Sequence, residues 1–181
     1  MKRIFLLAAM MMLAFTTYAQ QLEGLWSGSD KFNKKINKEI DDPDVKATTG
    51  LLFGKSDVYV ILFLTAEMEG MKMDIAFTVP GNYTREGNHV TCAFKKLETE
   101  FSLRDIDSDD PSTKTMLSSE ETKAVFLQML EGQMAEGLNE MKTEIANISD
   151  FFKDFNINSI TDTELKIQLD SKTEAQFEKI Q

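Results

Sequence analysis

From Met71 to Val79 the chain alternates with a period of two. Met71, Met73, Ile75, Phe77 and Val79 fall on one face, and Lys72, Asp74 and Thr78 on the other. Such a run predicts a strand with one buried side. The pattern returns at Val90, Cys92 and Phe94, and then at Leu97, Thr99, Phe101 and Leu103 against Glu98, Glu100, Ser102 and Arg104. Near the end come Phe155, Ile157 and Ser159, then Leu165, Ile167 and Leu169 against Lys166 and Gln168, and a last short run around Phe177. Residues suited to turns separate these runs, at Gly70, at Gly87-Asn88 and between Ser159 and Glu164. Short strands joined by short turns predict consecutive antiparallel pairing, as in an up-and-down barrel or a sandwich. No internal repeat or low-complexity segment is visible, and one domain suffices.

Three segments depart from this alternation. The run Val58 to Thr65 is apolar at odd and even positions alike, so both faces of that strand should be covered. The segment Asp30 to Lys46 is polar, carries charges of both signs and contains Pro43; it reads as a loop with one short helical turn. From about 118 to 148, Leu127, Leu130, Met134, Leu138, Met141, Ile145 and Ile148 recur at steps of three and four, the stripe of an amphipathic helix. Ser118 and Glu121 are spaced as a capping box. At ~1.5 Å per residue the helix would be about 45 Å long, and Gly132 or Gly137 is where it should bend. We expect it to cover the outer face of the Val58–Thr65 strand.

The N-terminus has a different character. Lys2 and Arg3 precede twelve apolar residues from Ile4 to Phe15, and small and polar residues then lead to Tyr18-Ala19. That is the pattern of a secretory signal cut between Ala19 and Gln20, so residues 1–19 are set apart from the fold and residues 20–181 form the domain. The apolar run is shorter than the roughly 20 residues a membrane span needs. A protein exported to the periplasm or the extracellular space, and soluble after cleavage, is expected.

The formal net charge of −10 becomes more negative once Lys2 and Arg3 are removed, which disfavours nucleic acid and anionic lipid as partners. Cys92 is the only cysteine, so stability must come from burial without an internal disulfide. His89, the only histidine, is three places away and points to the opposite face of the same strand.

The stretch "EGLWSGS", with Gly24 and Trp26, resembles the Gly-x-Trp motif on the first strand of lipocalins. "TGLLFGKSDVYVI" resembles the second hairpin of bacterial lipocalin-like exported proteins of the calycin type. "VPGNYTREGNHVT" and "INSITDTELKIQLD" are similar to their later hairpins, in the same order. The resemblance implies a mainly β fold: a single antiparallel lipocalin-like β-barrel of about 8–10 strands with the long amphipathic helix inserted. In the better-known lipocalins an arginine near the end stacks on the tryptophan; here no arginine follows Arg104, and Lys179 is a candidate stand-in.

Strand parity sends Phe53, Met73, Ile75, Phe77, Cys92, Phe94, Phe101, Leu103, Ile157, Leu165 and Ile167 inward. Of these, Phe53, Met73, Ile75, Phe77, Phe94, Phe101 and Leu103 are the candidates to line a cavity for a small hydrophobic ligand. Met129, Met134 and Met141 would form a lid or wall on the helix, since methionine adapts to varied apolar shapes. The same side chains could instead fill the barrel and leave a module that binds a protein partner. Asp105, Asp107 and Asp109 alternate as at the start of a calcium loop, but Asp110 and Met116 stand where glycine and an acid are required. No nucleophile motif, phosphate loop or zinc pattern is present, so neither an enzyme, a cofactor nor a metal is expected; an enzyme would require carboxylates such as Asp74 or Glu100 to converge in a cleft.

Overall fold

In the computed structural model, which describes residues 22–40, 43–68 and 70–180, the alternating runs become strands. In chain order the elements are β1 (Gly24–Gly28), α1 (Asp30–Ile40), β2 (Val45–Phe53), β3 (Asp57–Met68), β4 (Met71–Glu86), β5 (His89–Phe94) and β6 (Glu100–Ser108). Then follow α2 (Pro111–Leu117), α3 (Glu120–Ile148), β7 (Asp154–Ile160), β8 (Glu164–Gln168) and β9 (Glu174–Lys179). The signal-like segment and its expected cleavage point lie outside the described residues. Among the described residues no helix is long and apolar enough to cross a membrane.

Every strand pairing is antiparallel. The order β3-β2-β1-β9-β8-β7-β5-β4 returns to β3 through a β3–β4 pairing and closes an eight-stranded barrel. β6 is additional and pairs with β4. At 16 residues β4 is long enough for two partners along one edge, β6 beside Met71–Thr78 and β5 beside Gly81–Glu86. The partner changes at Pro80, which has no N–H to donate, and at Gly81, where a Cβ would lie 2.8 Å from the Ala93 carbonyl oxygen.

Between β5 and β6 the chain leaves the sheet as a 3-10 turn, Lys96–Glu98, closed by a Thr99 hydroxyl that donates to the Lys96 carbonyl at 2.6 Å. Leu97, whose spacing put it on one strand face with Thr99, Phe101 and Leu103, is therefore fully exposed at the tip. Its alternation with Phe101 and Leu103 continues in sequence, but the backbone no longer belongs to the strand.

The inner face carries the core. Trp26, Leu51, Val58, Phe77, Val90, Leu165, Ile167 and Phe177 show no solvent-accessible surface. A side chain bordering a void large enough for water would retain some, so this part of the barrel is filled to the density of a protein interior. The Trp26 indole N–H donates to the Leu22 carbonyl at 2.8 Å, which satisfies its one polar atom. Lys179 takes the place of the absent arginine, with its ammonium 5.0 Å from the centre of the Trp26 ring.

The polar segment after β1 differs from expectation. It forms the 11-residue helix α1 rather than a loop with a single turn. Phe32 and Ile36 are buried on one stripe, and Phe32 meets Phe152 and Phe177 at ring-centre distances of 6.0 and 5.4 Å. Two asparagines tie the helix to β2 where β1 no longer pairs with it. Asn37 donates to the Ala47 carbonyl at 2.8 Å and accepts from the Ala47 N–H at 2.7 Å, while Asn33 accepts from the Thr49 N–H at 3.0 Å.

The long helix also begins differently. Asp110, accepting from the Thr113 N–H at 2.7 Å, caps the short α2, and Ser119 rather than Ser118 caps α3. The helical assignment runs unbroken through Gly132 and Gly137. The expected packing changes too. α3 lies alongside β6, and its buried Leu138, Ile145 and Ala146 join the core formed by inward side chains such as Leu62 and Leu64, so it covers the barrel's inner residues instead of the outer face of β3. Nearer its N-terminus, Phe126, Leu127, Leu130 and Met134 pack on a second cluster of Met73, Ile106 and Leu117.

Candidate functional site

Four elements, α1, β2, β3 and α3, meet over the end of the barrel and leave a cleft of about 390 Å³. α1 contributes Ile36 and Ile40, the strands contribute Val45, Leu62 and Leu64, and the C-terminal part of α3 contributes Met141, Glu144, Ile145 and Ile148, followed by Phe151. Nine of these ten side chains are apolar. The helical stripes explain the arrangement. Ile36 and Ile40 stand one turn apart on α1, as do Met141, Ile145 and Ile148 on α3, so each helix presents an apolar edge to the same gap. The volume falls in the range of small-molecule sites, roughly 300–1,000 Å³.

The residues expected to line a cavity lie on the inner face, but not around this cleft. Phe53 and Phe77 belong to the filled core, with 2% and 0% of their surface exposed. Met73 packs in the second cluster. Ile75 and Leu103 are buried, while Phe94 and Phe101 are half-buried against the same core. Phe101 has Lys142 above it, with the ammonium 4.8 Å from the ring centre. Of the three methionines, Met141 lines the cleft, Met134 packs on both clusters, and Met129 is 48% exposed. The sequence reading did not assign Ile36, Ile40, Val45, Leu62 and Leu64 to a site. The first two belonged to a segment read as loop, and their stripe was the one available signal.

Comparison with protein-family models, curated proteins and solved structures returns no match. The cleft is interpreted from its own chemistry.

Other chemistry on the molecule is dispersed. Asp74 accepts a hydrogen bond from the Thr65 hydroxyl at 2.7 Å in a depression shared with Phe63 and Arg104, whereas Glu100 borders a different depression with Tyr59 and Leu97, so the two carboxylates do not converge. Asp105 pairs with Lys123, whose hydrogen bond holds the carboxyl below its ordinary range, and Asp107 accepts from the Ser108 N–H at 2.9 Å. Among the described residues no group of three or more His, Cys, Asp or Glu side chains is placed to hold a metal ion. Burial pushes the Cys92 thiol up to about 12, with the Asp154 charge adding to the effect, so the thiolate that nucleophilic chemistry needs is suppressed. His89 sits on the half-buried outer side of β5, opposite the buried Cys92, with its Nε2 3.3 Å from Asp154.

Proposed function

We propose that the protein is an exported, non-enzymatic binding module that holds a small apolar molecule in the cleft between α1, α3 and the barrel end. The observation that carries this reading is the convergence of Ile40, Val45, Met141, Ile148 and Phe151, all with surface left exposed, on one gap floored by the buried Ile36, Leu62, Leu64 and Ile145, beside a filled part of the barrel interior. An open apolar recess gains free energy by exchanging water for hydrocarbon, on the order of 25 cal/mol per Å² buried. The filled part of the barrel has no such exchange to offer and serves as a rigid floor. Export rests on the residue pattern of the first 19 positions.

Native mass spectrometry of the protein isolated from its exported fraction, followed by solvent extraction, tests the reading. A stoichiometric apolar adduct is expected, and it should be lost when Ile40→Trp fills the recess. A clean protein mass, with no uptake from a hydrophobic extract offered afterwards, would overturn it.

A second reading, binding to a protein partner, is favoured by Leu97, which stands fully exposed beside a depression lined by Tyr59, Thr78 and Pro80. Loss of a co-purifying protein on Leu97→Asp, with the fold intact, would support it.

A further inference from the structure

Among the ten described residues that line the cleft, nine are apolar and Glu144 is the only ionisable one; it is exposed. Its carboxylate has no ion-pair or hydrogen-bond partner among the described residues. The neighbouring basic side chains are committed elsewhere. Lys142 lies over the Phe101 ring, and Lys96 and Lys153 both pair with Asp150 at 2.7 Å. On α1, Lys38 is exposed and lies two residues from both Ile36 and Ile40, about 200° around the helix from the edge that faces the cleft.

The backbone contributes in the same direction. The cleft is built on Met141–Ile148, towards the C-terminal and therefore negative end of the dipole of a 29-residue helix, whose Ala146 and Asn147 carbonyls accept from the Ser149 N–H. The last turn itself contains no basic residue, and the Lys96 ammonium that reaches it is held by the Asn147 side-chain oxygen at 2.9 Å and by Asp150. A carboxylate, the negative end of a helix dipole and an overall charge of −10 therefore act together on whatever polar group emerges from the cleft.

From this arrangement, and building on the cleft as the binding site, we infer that the ligand is an amphiphile with an apolar body and a cationic amine or quaternary ammonium head held at Glu144. The body replaces water along Ile40, Val45, Met141 and Ile148, the lining side chains that keep exposed surface, above the buried Ile36, Leu62 and Ile145. The head stays at the rim, partly hydrated, where a full charge costs little to accommodate. A fatty acid is the wrong ligand, because its carboxylate would meet Glu144 and the negative end of the helix dipole with like charge. Glu144 is thus a specificity-determining residue. It sets which head is accepted, and the apolar walls supply most of the affinity.

Isothermal titration calorimetry with three ten-carbon ligands of equal chain length tests this: decyltrimethylammonium, decan-1-ol and decanoate, each below its micellar concentration and at low salt. The ammonium should bind about tenfold more tightly than decanoate, a difference of about 1.4 kcal/mol, with the alcohol between them. Glu144→Gln should bring the ammonium and decanoate to within about threefold, and Glu144→Lys should invert their order. Glu121→Gln, at the far end of the helix, should leave the order unchanged. If Glu121→Gln erodes the preference as much as Glu144→Gln does, overall charge is responsible and the assignment to Glu144 fails. If all three ligands bind equally and Glu144→Gln changes nothing, the head-group inference fails while the apolar cleft stands. If none of the three binds, decan-1-ol included, the cleft reading itself fails.

Discussion

A Cβ on Gly24 would lie 2.7 Å from Cε of Lys179, so the lysine chain that crosses the face of Trp26 would have to shift if Gly24 carried a side chain. Gly24 also has φ at +123°, a backbone conformation that other residues adopt at a cost. Glycine, tryptophan and lysine form one packed unit where β1 pairs with β9. Gly24→Ala should cost about 1–3 kcal/mol through backbone strain and the clash with Lys179. Adding Lys179→Ala should relieve the clash and leave the strain, so the double variant should lose less than the sum of the two. Lys179→Ala alone should shift Trp26 emission to the red as water reaches the indole. Because Trp26 is the only tryptophan, fluorescence-monitored denaturation reads all three variants.

The strands were legible because alternation is a local signal that the packed barrel reinforces. Met73, Ile75 and Phe77 are buried as their spacing predicts. α1 was not legible in the same way. Phe32, Ile36 and Ile40 are its only apolar residues among eleven, and its attachment depends on Asn33 and Asn37 reaching β2, a tertiary fact no local pattern carries. The cleft was hidden for a related reason. Ile36, Val45, Leu62 and Ile148 come from four elements, and each reads in isolation as an ordinary core position.

Asn37 replaces strand pairing along β2 by bonding both polar backbone groups of Ala47. Asn37→Ala should leave those groups without their partners and cost on the order of 2 kcal/mol. Amide exchange at Ala47 should accelerate with it. Asn37→Asp should rescue only in part, since a carboxylate still accepts from the Ala47 N–H but cannot donate to its carbonyl.

Thr49 faces the core with no exposed surface, and its hydroxyl has no hydrogen-bond partner among the described residues. A buried unpaired hydroxyl is a net cost, and valine has the same shape without it. Thr49→Val should therefore raise stability by about 1 kcal/mol, while the Thr49 backbone N–H keeps its bond to Asn33. A higher urea midpoint with an unchanged slope would be the sign.

Cys92 should be inert in the folded protein. With the thiol near 12 instead of 9.0, its thiolate fraction at pH 8 is roughly a thousandfold lower than in the unfolded chain. Labelling by a disulfide reagent should be slow without denaturant and fast with it. The same shift has a consequence for stability. The unfolded thiol ionises first as pH rises through about 9, so its contribution is complete below that value and is lost progressively towards about 12. Cys92→Ala should accordingly flatten the alkaline decline in stability compared with the parent protein.

The two halves of α3 are held unequally, and that bears on how the cleft is entered. Leu138, Ile145 and Ala146, towards the C-terminus, are its only buried residues. The N-terminal half leans on the smaller cluster through half-buried Phe126, Leu127 and Leu130, and its ion pair from Lys123 to Asp105 is partly exposed and adds little. Gly132 and Gly137 lie between the two ends and weaken the helix, while a Cβ at either would meet open space. Amides of Val125–Gln133 should exchange faster than those of Met141–Ile148. Gly132→Ala and Gly137→Ala should each stabilise by about 0.5–1 kcal/mol. Since the cleft is built on the well-held end, these variants should leave ligand affinity unchanged. If they instead slowed ligand uptake, the N-terminal half would have to open before the cleft fills.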